Sequence, residues 1–516
     1  MSMSMSTPAT PSHKMVGELF LVSPMSVVGS GGVSGRKRKI TPVAERASPK
    51  RIAVITSPGA VSPAVNTMER PSPNPLAWPI QSERASIEYR SSLGEAIPNP
   101  LYKPEQASPP PRHIVLPFDL RVDEKALSDP DKRALLSSIF PHTTTLTFDG
   151  NFIAIHVDTL PPKPWPLSVA GVPLYLYQER GRIPMPEARP AWESKVRIGQ
   201  DQNGRNMKDW TPLFNIIKDH CRDIGVSITE VIYFPDSVYI VLEHRDTDYK
   251  ILPRLAGGIM CFYMFEDQMG RPSTPQARRL HDPAPGDPDV SKYDALQPGL
   301  RVSSAYLPDK PDKFLGTTTG VLVKDQVGNK FMTVAAHGFP PECGTSVYHA
   351  LPSTGRDIGE LIMEVTHTDI ALVKLQDEET FSNTTFQNDL TPEPVQLKKF
   401  VRCEEYQRQS IIHLDSPDTG FIDGQYMAPS YKAIPVDEGL PKLKWVSTTW
   451  YYMGEDSGTN LPAGMCGSAI WDEDGNVLGF FKYAPLNGAM VNWCNGVAAD
   501  ELINRGYTLV DANDTA

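Results

Sequence analysis

The chain has 516 residues, 40% apolar, 22% charged and 9% aromatic, with 50 prolines and a net charge of −11. At roughly 100–200 residues per domain this length predicts several domains, and a proline share close to twice the usual ~5% predicts long loop-rich stretches. There is no apolar run of the roughly 18 residues that a membrane-spanning helix needs, so no membrane partner is expected, and the acidic balance excludes a chain that coats nucleic acid by bulk charge.

Residues 1–110 hold 12 Lys and Arg against 7 Asp and Glu, so this stretch is +5 and the remainder −16. It also carries 16 prolines and 17 serines without sustained periodicity. Such a segment cannot bury enough apolar surface to offset its ordering entropy, and disorder is expected. The apolar run Met15–Val28 has a signal-peptide look, but Glu18 and Pro24 interrupt it. Two basic clusters, Arg36–Lys39 and Lys50-Arg51, stand about ten residues apart. They read as a bipartite signal for a nuclear import receptor, giving a nuclear or nucleocytoplasmic location. A solubilising basic patch is the plainer reading of the same residues. Nucleic acid is not expected as a partner except through this tail.

Residues 111–270 read as an α+β domain. A strand is predicted at 113–121, a helix at Asp129–Phe140, and a hairpin from Thr145–Phe148 and Phe152–Val157 around Asp149-Gly150-Asn151. A helix at Trp210–Arg222 and a hairpin from Thr229–Phe234 and Val238–Leu242 repeat the pattern. The offset is 86 residues: Phe148 maps to Phe234, Ala170-Gly171 to Ala256-Gly257 and Tyr177 to Tyr263. Internal duplication is the expectation, and no catalytic constellation is visible here. Residues 271–297 are Pro/Gly/polar-rich and predict a linker.

From 298 to 510 the texture is short strands and turns. Gly316–Val323 and Lys330–Ala336 flank a Val327-Gly328-Asn329 turn, and the second strand runs into Ala335-Ala336-His337-Gly338. Thr368–Leu375 reads Thr-Asp-Ile-Ala-Leu-Val-Lys-Leu, and Gly464–Ile470 reads Gly-Met-Cys-Gly-Ser-Ala-Ile ahead of a closing hairpin. In order, these three segments resemble the trypsin/chymotrypsin-like peptidase fold, in which the base, acid and nucleophile follow one another along the chain. Their spacings, 32 and 97 residues, suit two small β-barrels. With Cys466 at the nucleophile position, the segment resembles the picornavirus-type cysteine peptidases. Papain-like enzymes, in contrast, place cysteine before histidine.

The resemblance implies a double barrel and an endopeptidase acting on protein or peptide substrates. It implies Cys466 as nucleophile, His337 as base, Asp369 as orienter, and the backbone of Gly464 and Cys466 as the oxyanion hole. The residue chemistry points the same way. Free cysteine is mostly protonated at neutral pH and needs an imidazole beside it. Asn460, Lys482 and Tyr483 fall where the fold walls its specificity pocket. A catalytically silent scaffold that binds partners is the alternative. Ser457, Ser468 and His367 are weaker candidates, because none sits in the right context. The six cysteines, Cys221, Cys261, Cys343, Cys403, Cys466 and Cys494, form no disulfide framework and no C-x-x-C metal spacing, and Cys343 is expected to be a free thiol. No cofactor and no metal are expected.

Overall fold

The computed structural model describes residues 112–511 except 164, 179–187, 202–206, 273–277, 282–290, 309, 341–343, 388–392, 436–442, 456 and 458–460. The tail to 110 and its basic clusters lie outside the described residues, as do Cys343 and Asn460.

The chain is mostly β. Its first unit contains β1 (Arg112–Ile114), α1 (Pro130–Ile139), β2 (Thr143–Phe148), β3 (Ile153–Val157), β4 (Pro166–Val169) and β5 (Val172–Tyr177). The predicted strand at 113–121 ends after Ile114. Pro117 offers no N–H to a ladder, and Asp119 folds the following residues into a turn, its Oδ1 accepting from Arg121 N at 2.9 Å. Helix α1 starts where Asp129 accepts from Asp131 N at 2.9 Å, an N-cap followed by a proline in the first turn. In the β2–β3 turn, Asp149 Oδ1 accepts from Asn151 N and Phe152 N, both at 2.8 Å.

After β6 (Arg189–Pro190), the second unit contains β7 (Arg197–Ile198), α2 (Thr211–Asp223), β8 (Ile228–Phe234), β9 (Ser237–Leu242), β10 (Leu255–Ala256) and β11 (Ile259–Phe265). The strand orders of the two units match: β1-β4-β5-β3-β2 and β7-β10-β11-β9-β8. Corresponding neighbours also pair in the same sense. Both β4–β5 and β10–β11 close on two residues of positive φ, the hairpin turn that suits the twist of antiparallel strands. These are Ala170-Gly171 and Gly257-Gly258. The turn offset is therefore 87 residues, and Ala256 ends a strand instead of entering the turn.

Within the predicted linker at 271–297, some of the described residues are packed. Arg271 is buried between Glu230 and Glu266, with Nη1 2.9 Å from Glu266. Strand β12 (Arg278–His281) pairs with β14, and Leu296 and Gln297 are buried.

The first barrel is built from β13 (Arg301–Leu307), β14 (Lys310–Thr318), β15 (Leu322–Lys324), β16 (Lys330–Ala335), β17 (Thr345–His349), β18 (Arg356–Glu364) and β19 (Ile370–Leu375). The order is β14-β13-β17-β18-β19-β16-β15. Because β14 runs on into β15, the two ends of the sheet are one bent stretch of chain and the barrel closes. Val302, Met332, Val334, Val347, Ile358 and Val373 are in its core.

The second barrel follows β20 (Lys399–Phe400). It uses β21 (Ile411–Ser416), β22 (Gly420–Pro435), β23 (Leu443–Tyr452), β24 (Ala469–Trp471), β25 (Asn476–Tyr483) and β26 (Trp493–Ala498), and a β21–β22 pairing closes the ring. Helix α3 (Asp500–Ile503) leads to β27 (Thr508–Leu509), which pairs with β15 of the first barrel. Strand β22 is long enough to do two jobs. Its first half pairs with β21, and Ser430–Lys432 pair antiparallel with β8 of the second α/β unit. The expected break between an α+β domain and the barrels is thus bridged by a continuous sheet.

Candidate active site

The base and the acid come from neighbouring strands. β16 and β19 pair antiparallel, with Ala335 opposite Ile370, so the residues just beyond these ends are adjacent. Ala336 N donates to Asp369 O at 2.9 Å, and His337 N donates to Asp369 Oδ1 at 3.0 Å. His337 Nδ1 donates to the carboxylate, 2.7 Å from Oδ2 and 2.8 Å from Oδ1. Both side chains are about 10% exposed. Asp369 itself is left-handed, with φ of +74°, and Thr366 and His367 share that region. Non-glycine residues there carry strain that the surroundings must hold.

The nucleophile candidate comes from the other barrel. Cys466 caps a 3₁₀ turn, Ala463–Met465, that precedes β24. This turn is pinned by the first barrel: Thr318 N donates to Cys466 O at 3.1 Å, and Thr318 Oγ1 donates to Gly464 O at 2.7 Å. Gly467, with φ of +88°, follows, and its N–H donates to Phe481 O at 2.9 Å. A β-carbon there would lie 2.7 Å from Ala335 N and 2.8 Å from Thr318 O, so only glycine lets the loop meet the first barrel so closely. Cys466 Sγ donates to Lys482 O at 3.0 Å, and the residue is 3% exposed.

The electrostatics tie the three together. Burial alone pulls the His337 imidazole down. The Asp369 carboxylate and the Cys466 sulfur outweigh it by charge and hydrogen bonding, and leave the imidazole well above its ordinary value. Burial pushes the Asp369 carboxyl up, but the charge and hydrogen bond of His337, with help from Lys482, hold it below the usual range. Elsewhere burial pushes the Cys221 and Cys261 thiols up to about 12, as for inert core cysteines.

Two of the expected site groups are engaged elsewhere in this structure. The Cys466 N–H, assigned to the oxyanion hole with that of Gly464, donates inside its own 3₁₀ turn to Ala463 O at 3.3 Å. The turn's own hydrogen bonding engages it, which a loop motif cannot reveal. Tyr483, assigned to the pocket wall, faces the opposite way. A bulge between Phe481 and Tyr483 breaks the alternation of β25. Phe481 packs beside Cys466, whereas Tyr483 joins Trp450, Trp493 and Phe152 in another cluster. Lys482 is at the site, but its Nζ reaches Thr368 O at 3.4 Å on the acid's turn. Of the weaker candidates, Ser457 and Ser468 are buried.

Glu364 was not anticipated. Its Oε1 accepts from Asp369 N at 2.8 Å, and burial first, then the Asp369 charge, raise its carboxyl. It lies five residues before Asp369 on β18, and no local motif marks it. The run Thr317-Thr318-Thr319, which holds the nucleophile loop, is visible in the sequence but reads only as strand. Among the described residues, no group of three or more His, Cys, Asp or Glu side chains is placed to hold a metal ion.

No family model matches the chain, and no curated protein does. Among solved structures, a glutamic-acid-specific serine protease that uses a histidine triad in substrate binding is 12% identical, covering 42% of this chain and 100% of its own, with a TM-score of 0.31. The Cellulomonas bogoriensis chymotrypsin is 12% identical over 42% and 99%, with a TM-score of 0.29. A Mycobacterium tuberculosis protease in its active form is 19% identical over 46% and 90%, also at 0.29. None of these carries over an activity or a type of nucleophile. The two barrels meet where the first supplies His337 and Asp369 and the second supplies Cys466.

Proposed function

We propose that the chain is a cysteine endopeptidase. The observation that carries this reading is His337 hydrogen-bonded to Asp369 on one barrel, with the Cys466 thiol of the other barrel acting on the same imidazole. His337 Nδ1 is taken by Asp369, which leaves Nε2 for the thiol. The Cys466 proton passes to Nε2 and the thiolate attacks the peptide carbonyl carbon. Its π electrons move onto oxygen. On collapse, imidazolium gives its proton to the departing amine and a thioester remains. Water, losing a proton to His337, then displaces the thiolate and releases the acid. Asp369 orients the ring and stabilises the imidazolium. The oxyanion would take the Gly464 and Cys466 N–H groups, the second of which must first leave Ala463 O.

The silent-scaffold reading has a specific support of its own: a thiol only 3% exposed with its backbone N–H already satisfied. Peptide-library cleavage, mapped by mass spectrometry, separates the two. An endopeptidase gives defined cuts that vanish in Cys466→Ala and in His337→Ala. A scaffold gives none, and equal cutting by the Cys466→Ala variant defeats the enzyme reading. The import-receptor role of residues 36–51, nuclear accumulation, and the duplication suggested by the two matching strand orders belong to the same proposal. A fluorescent fusion whose nuclear signal survives alanine at 36–39 and 50–51 rules out the first.

A further inference from the structure

Lys482 is near the end of β25, and its two ends act on opposite sides of the barrel junction. Its carbonyl accepts from the Cys466 thiol at 3.0 Å. Its ammonium donates to Thr368 O at 3.4 Å, one residue before Asp369. One residue of the second barrel therefore touches both the thiol and the turn that carries the acid.

That turn does not hold its shape unaided. Thr366, His367 and Asp369 all have positive φ, a conformation that persists only when neighbours impose it. The neighbours are named. Glu364 Oε1 accepts from Asp369 N at 2.8 Å, and Lys444 Nζ donates to Thr366 O at 2.9 Å. Arg505 donates to Thr366 Oγ1. Lys444, Lys482 and Arg505 all come from the C-terminal barrel side, yet converge on a turn of the first barrel.

Resting on the peptidase reading above, we infer that Lys482 is a positioning residue. Its ammonium fixes the Thr366–Asp369 turn, so that Asp369 holds His337 toward Cys466 across the junction. Asp369 and Glu364 carry charge that attracts it, and Lys432 charge that repels it. Its charge also works with His337 to keep Asp369 ionised, against the burial of that carboxyl. A neutral residue of the same length would keep the carbonyl contact to Cys466 and lose the charge together with the donor to Thr368 O.

The test uses the full chain and iodoacetamide, with alkylation of each cysteine followed by peptide mass spectrometry from pH 5 to 9. In wild type, Cys466 labels fastest. In Lys482→Met the acid limb of its profile moves up by about one pH unit, an approximately tenfold slower labelling on that limb. Lys482→Arg restores most of the rate. Lys482→Gln provides a second neutral variant should Lys482→Met fold poorly, as judged by its melting profile. A purely structural lysine would shift melting and leave the profile of the folded fraction in place. Fast wild-type labelling with an unshifted profile in both neutral variants overturns this inference alone. Wild-type Cys466 labelling no faster than Cys403 or Cys494 overturns the peptidase reading, and this inference with it.

Discussion

Gly467→Ala tests whether the nucleophile loop depends on the first barrel. Two costs can be separated. The native φ is +88°, where a side chain costs about 1–2 kcal/mol through its own backbone. The added methyl also lies 2.7 Å from Ala335 N and 2.8 Å from Thr318 O, both backbone atoms that cannot swing away. Overpacking of this kind costs typically ~1–3 kcal/mol more. Gly328 is the control: its φ is +93°, in the turn between β15 and β16, and a β-carbon there meets nothing within 4 Å. Gly328→Ala should therefore lose about 1–2 kcal/mol and keep wild-type labelling of Cys466. Gly467→Ala should lose the larger amount, or relieve it by moving the loop and slowing Cys466 alkylation several-fold. Denaturant midpoints and thiol labelling of both variants decide. Equal midpoints with equal labelling would show that the loop is not held by the contact described.

Two further outcomes follow from buried charge. The folded value of His337 lies above the ~6.5 of an unfolded histidine, so the fold favours its charged form. That contribution to stability is present in full below about pH 6.5 and fades as pH rises through the folded value. Urea midpoints across pH 5–10 should show this alkaline decline in wild type and a flatter curve in His337→Gln; identical curves would remove the coupling. Glu230, fully buried, accepts from Ser430 Oγ at 2.6 Å and Trp450 Nε1 at 2.8 Å and pairs with Arg271. Glu230→Ala leaves that guanidinium with Glu266 as its remaining carboxylate partner and should cost up to roughly 3–5 kcal/mol, read as a lowered unfolding midpoint; a loss under about 1 kcal/mol would mean that Glu266 compensates Arg271 by itself.

The site was legible where chemistry and chain order coincide. His337, Asp369 and Cys466 stand in sequence contexts that each require a strand end or a tight turn; the structure hydrogen-bonds His337 to Asp369 and seats the Cys466 loop against Thr318 of the first barrel. The helices at 130–139 and 211–223 and both hairpins were legible from periodicity and turn chemistry. What stayed hidden depends on partners far along the chain. Glu364 matters because a left-handed Asp369 turns its N–H toward β18. Tyr483 departs because of one bulge, which an alternating string of apolar residues does not announce.

The boundary between the α/β units and the barrels was hidden for a related reason. Strand β8 reads Ile-Thr-Glu-Val-Ile-Tyr-Phe, and such a strand could sit at a free edge or in the middle of a sheet. Glu230 within it looks like a solvent-facing residue that protects an edge from pairing. Instead it lies opposite Lys432 on β22 and is fully buried, its oxygens filled by Ser430, Trp450 and Arg271. A carboxylate can be buried there only because donors come from three separate stretches, 271, 430 and 450. None of them is near it in the sequence. The same residues place a lysine, Lys432, over the Tyr483 ring at 5.1 Å, with burial drawing its ammonium down to about 7. The second α/β unit therefore extends the barrel that bears Cys466, and its buried polar contacts reach the strand that carries Lys482. Loosening Glu230 should be felt at the thiol as well as in the melt.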